Sequence, residues 1–218
     1  MLFRSGECMR ATALGASEYS VQLSGNTTYI SNPGVLLPRR NLQVLQPDFE
    51  FGEEIDPDAL AKAIRAHFTA FDRVEGEGEV ALAFHWTGAP SYERIAAFAH
   101  GIERGMRDTI ARGEPLFVML DGDIAQTLGA ILREELGVAN EILVIDGVTL
   151  QDFDYIDLGR VRLPSQTVPV TIKSLVFSED PRAPDGRQHL DDGHDHHHGS
   201  GHSHSHGDRK STRLNSSH

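Results

Sequence analysis

Between residues 56 and 145 the chain alternates between amphipathic helix-forming runs and short, wholly apolar strands, and this alternation restricts the fold more than any other feature. Asp56-Pro57 supplies a helix start, with an acceptor at the N-cap and proline in the first turn. Leu60, Ile64, Phe68 and Phe71 follow on one face at helical spacing. The Glu-Gly-Glu-Gly run at 75–78 breaks that pattern. Residues 80–86 then predict a strand, and 91–111 a helix with Ile95, Phe98, Ile102, Met106 and Ile110 along one side. Residues 116–120 predict a buried strand, 124–136 a helix ended by Gly137, and 141–145 another buried strand. Neighbouring strands run in the same direction only when a crossover, usually a helix, returns the chain between them. Strand, helix, strand, helix, strand with short connections therefore predicts an α/β fold with a mainly parallel sheet.

The flanking segments differ in character. Residues 10–47 read as β-rich: Tyr19, Val21 and Leu23 alternate, Gly25-Asn26 marks a turn, and 27–30 is β-branched and aromatic. Asn32-Pro33-Gly34 turns again, and the chain reaches an apolar segment that ends at Pro47. Residues 154–177, with Gly159 and Pro164, predict a final strand pair. From residue 178 the sequence is polar, then His-rich, a composition that predicts disorder. The two ends have a different origin on this reading. Residues 208–218 (DRKSTRLNSSH) match a translated sequencing-library adapter, and residues 1–5 (MLFRS) match its opposite strand. Both are set aside from fold reasoning, leaving about 6–207 as the biological part, expected to be a piece of a larger protein.

Charge and cysteine use narrow the function classes. A formal net charge of −12 argues against nucleic acid as a partner, since phosphate binding needs clustered Lys and Arg. No apolar run approaches the ~18–20 residues of a membrane span. The single Cys8 excludes an internal disulfide and fits a reducing, cytoplasmic setting.

Residues with chemical potential fall into four groups. Neither a G-x-G-x-x-G loop nor a GKS/GKT motif is present, so the chain on its own is not expected to hydrolyse ATP. Acidic residues cluster after the predicted strands: Asp121, Asp123, Asp146, Asp152, Asp154 and Asp157. Ligands of parallel sheets bind at the carboxyl ends of the strands, so these side chains either gather around a ligand or Mg²⁺, or serve as helix caps and turn residues, Asp123 as the cap at Ile124. Caps and turns are the commoner use of aspartate. His85 and Trp86 end a predicted strand, where they either line a pocket or pack under a loop, the more frequent outcome. His67 and His100 lie on predicted helices without metal-ligand spacing and read as surface or satisfied histidines. The tail holds the clearest metal signal: His194, His196, His197, His198, His202, His204 and His206, mixed with acidic residues. Such a tract binds Zn, Ni, Cu or Co through flexible imidazoles without a preformed cage.

Several strings carry a resemblance. RATALGASEYSVQLSGNTTY at the start, LPRRNLQVLQP after it, then DFDYIDLGR and VPVTIKSLVF after the α/β stretch, resemble the C-terminal half of the ethanolamine ammonia-lyase reactivating factor, the EutA family of actin-like ATPases. The similarity covers about residues 10–177. It implies a remnant of an actin-like lobe over 6–47 and an α/β domain over 48–177, while the His-rich tail over 178–207 departs from the family's pattern. It further implies a chaperone-like partner of ethanolamine ammonia-lyase that uses ATP and Mg²⁺ to exchange damaged cobalamin for intact adenosylcobalamin. Ala13, Gly15, Ala16 and Ser17 would lie near the nucleotide cleft, with the phosphate loops upstream. The expected setting is the cytoplasm, in association with a bacterial microcompartment. Two alternatives stand beside this: another actin-like protein (a diol-dehydratase reactivase or a sugar kinase), or a metal-handling protein built around the tail.

Overall fold

The computed structural model describes residues 17–23 and 28–175, with side chains described from 28 to 174. Cys8, Ala13, Gly15, Ala16, the tail histidines and both adapter-like ends lie outside the described residues. Ser17 opens the first strand, and its side chain is likewise outside them.

The chain begins with strands β1 (Ser17–Leu23) and β2 (Thr28–Ile30), a short helix α1 (Pro33–Leu36) and strand β3 (Arg39–Leu45). Helix α2 (Pro57–Ala70) leads to β4 (Val80–Phe84), and helices α3 (Tyr92–Gly105) and α4 (Arg107–Ala111) lead to β5 (Leu116–Leu120). Helix α5 (Ala125–Ala130) continues as a π-helical turn (Ile131–Glu135) before β6 (Ile142–Ile145). Strands β7 (Asp154–Leu158) and β8 (Pro169–Leu175) close the sequence of elements.

All eight strands form one mixed sheet in the order β1-β8-β7-β3-β4-β5-β6-β2. The expected parallel arrangement holds for its centre: β3, β4, β5 and β6 are parallel to one another. The flanks are antiparallel, with β2 on β6, β7 on β3, β8 on β7 and β1 on β8. The expectation of a mainly parallel sheet is thus corrected to a parallel centre with antiparallel edges. The cause is in the connections: the segments 146–153 and 159–168 carry no helix, so the strands that follow them cannot be returned in parallel by a helical crossover. The boundary expected at 47/48 falls just after β3, and strands from both sides of it hydrogen-bond into the same sheet.

Alternate residues of the central strands enter two apolar layers. Leu82, Phe84, Leu116, Val118, Leu120, Ile142 and Val144 pack with Leu60, Ile64, Phe98, Ile102 and Leu128 of α2, α3 and α5. Ala81, Ala83, Phe117, Met119, Leu143 and Ile145 face the other way, against Leu36, Val148, Ile156, Leu158, Val170 and Ile172. Both faces are buried, which is why these strands read as continuous apolar runs.

Helices α2 and α3 approach closely at glycine. A Cβ at Gly101 would lie 2.5 Å from Leu60 Cδ2, and one at Gly105 2.7 Å from Ile64 Cδ1. Asp56 caps α2 as its sequence predicts, accepting from the Asp58 N–H at 2.9 Å. The single helix expected over 91–111 is broken at Met106. Glu75, nine-tenths buried, accepts from the Asp108 and Thr109 N–H groups at 2.7 and 2.6 Å, while Arg65 donates to the Arg104 carbonyl at 2.8 Å. The groups that would continue the helix are therefore drawn to partners outside it. Pro33–Leu36, read as part of a turn and apolar run, forms α1 with proline in its first turn.

Candidate small-molecule site

The parallel strands end together, placing Gln46, His85, Asp121 and Asp146 immediately after β3, β4, β5 and β6. This edge is where α/β sheets present ligand-binding groups, because backbone donors and loop side chains converge there without helices covering them.

Asp121 accepts from the Trp86 N–H at 2.8 Å and pairs with His85 Nδ1. The carboxylate favours the tautomer with the proton on Nδ1, in which the lone pair lies on Nε2. The His85 side chain is 70% exposed, and Asp121 only 17%. Asp152 forms the second imidazole–carboxylate pair. Its Oδ1 accepts from the Gln46 N–H at 2.9 Å and meets His67 Nε2 at 2.8 Å. His67 is mostly buried, and its ring packs on Phe71 with centroids 4.8 Å apart. Phe71 in turn contacts Phe153, which adopts a left-handed backbone (φ 69°) directly after Asp152.

A cavity of about 360 Å³ opens between these pairs, lined by Gln46, Pro47, Asp48, Phe49, His67, Phe84, His85 and Asp152. The two histidines thus share one cavity although they come from α2 and the end of β4. The sequence reading placed His67 among satisfied or surface histidines; it is satisfied, and it also lines the cavity. The signal missed was the pairing with Asp152, which only the fold brings near.

The other acidic residues serve the framework. Asp146 accepts from the Ala125 N–H at 2.7 Å and so caps α5, the task expected of Asp123, which is exposed. Asp146 takes this role because it leaves the end of β6 buried beside the helix start. Asp154 accepts from Ser174 Oγ at 2.7 Å, joining β7 to β8. Asp157 accepts from the Asn41 N–H at 2.8 Å and pairs with Lys173 at 2.6 Å. Burial alone would raise the Asp157 carboxyl, but these hydrogen bonds and the Lys173 and Arg40 charges outweigh it and hold it below the usual aspartate range.

Trp86 points to the packing outcome rather than the cavity. Its ring contacts Phe51 and Phe98, and the Arg94 guanidinium lies 4.8 Å from its centroid. Arg94 is buried and donates to the carbonyls of Gly52 and Thr87 at 2.8 Å each, fixing the two loops against the aromatic cluster. Among the described residues, no group of three or more His, Cys, Asp or Glu side chains is placed to hold a metal ion. No described helix is long and apolar enough to cross a membrane.

The family model for the ethanolamine utilisation protein EutA matches residues 1–178. The chain is 32% identical over 174 residues to the ethanolamine ammonia-lyase reactivase EutA of Escherichia coli strain K12, covering 78% of this chain and 34% of that protein. It is 30% identical over 171 residues to the reactivase of the same name from Salmonella typhimurium, with the same coverage of 78% and 34%. The chain therefore spans about a third of the length of these curated relatives. No solved structure matches it.

Proposed function

The chain belongs to the EutA family of ethanolamine utilisation proteins, and from that premise we propose that it is part of a reactivating factor for ethanolamine ammonia-lyase. The observation that carries the reading is the similarity over 78% of the chain to two relatives, each named as a reactivase of that lyase. The full-length protein binds the lyase after its adenosylcobalamin has been damaged, and it uses ATP with Mg²⁺ to exchange damaged cobalamin for intact coenzyme. Residues 6–47 carry the end of an actin-like lobe, whose described strands share one sheet with those of 48–177, and Ala13, Gly15, Ala16 and Ser17 adjoin the nucleotide cleft. The working place is the cytoplasm, in association with a microcompartment.

The edge cavity does not fit the nucleotide. Asp48 and Asp152 line it, and among the described residues no Lys or Arg does, so nothing there would offset triphosphate charge. On this reading ATP is held beside Ala13, Gly15, Ala16 and Ser17 and by phosphate loops upstream, not in the edge cavity. The test is exchange: cobalamin-inactivated ethanolamine ammonia-lyase is incubated with the full-length protein, ATP, Mg²⁺ and fresh adenosylcobalamin. Recovery of lyase turnover that requires ATP is the expected result. No recovery with the cognate lyase would remove the reading.

A further inference from the structure

The cavity at the carboxyl edge of β3 and β4 contains an unusual balance of groups. Its polar lining consists of acceptors and imidazoles: Asp48, Asp152, His67, His85 and Gln46, with no cationic side chain among the described residues. Asp152 uses only Oδ1 toward Gln46 and His67. Oδ2 therefore retains its acceptor capacity. Asp48 is exposed at the cavity wall. His85, tied through Nδ1 to Asp121, keeps an acceptor on Nε2. Phe49 and Phe84 add aromatic surface.

We infer that this cavity binds a small primary ammonium ion. An ammonium group brings several N–H donors and one positive charge, which suit a lining of carboxylates and imidazoles and need only one or two of these acceptors at a time, with water on the remaining donors. Aromatic faces favour the same charge. An anion would meet Asp48 and Asp152 with no compensating cation. A divalent metal needs several converging ligands, and no group of three is placed for it among the described residues. An apolar ligand would offer no donor to Asp152 Oδ2 or to Asp48. The cavity of about 360 Å³ accommodates a small molecule rather than a macromolecular segment. The overall charge of −12 further raises the local concentration of cations. This assignment stands on the cavity and is independent of the reactivase reading.

The test uses the 218-residue chain, without lyase or nucleotide, titrated with ethanolamine hydrochloride and with ethylamine hydrochloride at constant ionic strength. Ethylene glycol serves as the uncharged control and magnesium chloride as the metal control. The expected result is saturable NMR shifts of the His67 and His85 rings and the Gln46 and Phe49 amides with both amines, and none with either control. Asp152→Asn retains an acceptor for Gln46 and His67, and Asp48→Asn lies on the surface, so both should melt like the parent chain. Each should weaken amine binding by about tenfold, the loss of one charge-assisted contact. Absence of saturable shifts, an equal response to ethylene glycol or to magnesium, or unchanged affinity in both folded variants would overturn the assignment. Failure here leaves the exchange assay unaffected, and failure of that assay leaves this titration unaffected.

Discussion

Asn41 sits at the bulge where β3 changes register against β7, between the pairs Arg39–Leu158 and Leu42–Ile156. Its left-handed backbone (φ 56°) is one that asparagine tolerates better than most residues. That conformation turns its N–H to Asp157, and its side-chain oxygen accepts from Lys173 at 2.8 Å. Three residues from β3, β7 and β8 thus form one charged knot. Because the folded Asp157 pKa is depressed, the unfolded chain holds the proton more tightly. The stabilisation is full above the unfolded value of about 3.9 and is lost as pH falls through the lower folded value. Asp157→Asn should therefore lower the melting temperature at neutral pH, and the gap to the parent chain should narrow on acidification below the ordinary aspartate range. Thermal melts at matched salt check this; a gap that widened in acid would contradict the sign.

At the scale of elements, helix-to-helix distance is set by what is missing. Gly101 and Gly105, one turn apart on α3, let Leu60 and Ile64 of α2 reach the α3 backbone. Gly129 does the same for Tyr29 of β2, where a Cβ would lie 2.1 Å from the ring Cγ. In an isolated helix, glycine to alanine gains about 1 kcal/mol. Here the methyl would displace a buried leucine, a change that costs about 1–3 kcal/mol in well-packed interiors and outweighs the gain. Gly101→Ala should thus lower the urea midpoint, and pairing it with Leu60→Ala should not lower it by the sum of the two single changes, because the second deletion makes room for the first. Simple additivity would show that the two positions do not press on each other. The split between α3 and α4 has the same kind of origin, a buried Glu75 that takes the N–H groups a continuous helix would use.

For the whole molecule, the described strands join in one sheet, and the His-rich segment carries a chemistry of its own in the sequence. On the proposed reading, this chain alone releases no phosphate from ATP, since it lacks the phosphate-binding loops of the family, and the His-rich segment has no part in reactivation. Deleting 189–207 should remove most Zn²⁺ or Ni²⁺ binding, which in the intact chain should weaken below about pH 6 as imidazoles protonate. Reactivation by the full-length protein should be unchanged by the deletion. A several-fold loss of reactivation in metal-free buffer would instead make the tail part of the machine.

The sequence by itself determined the elements of the core. Apolar runs such as 116–120 and 141–145 belong to strands buried on both faces, and Asp56-Pro57 announces a helix through chemistry contained in two residues. Those signals are local, so they survive without knowledge of the fold. Relations between distant segments are different in kind. His67 and Asp152 are 85 residues apart, and neither position carries a spacing that names the other. The same holds for Asp146 at the start of α5, where the cap was expected from Asp123 and came from a neighbour in space, and for Glu75, which meets the start of α4 inside a stretch expected to be one continuous helix. A backbone donor is satisfied by whichever acceptor packing brings within reach. Strand direction at the edges was likewise settled by which strands packed together, once the helical crossovers ended. The alternation dictated a parallel centre; only the tertiary structure assembled the two imidazole–carboxylate pairs around a common cavity.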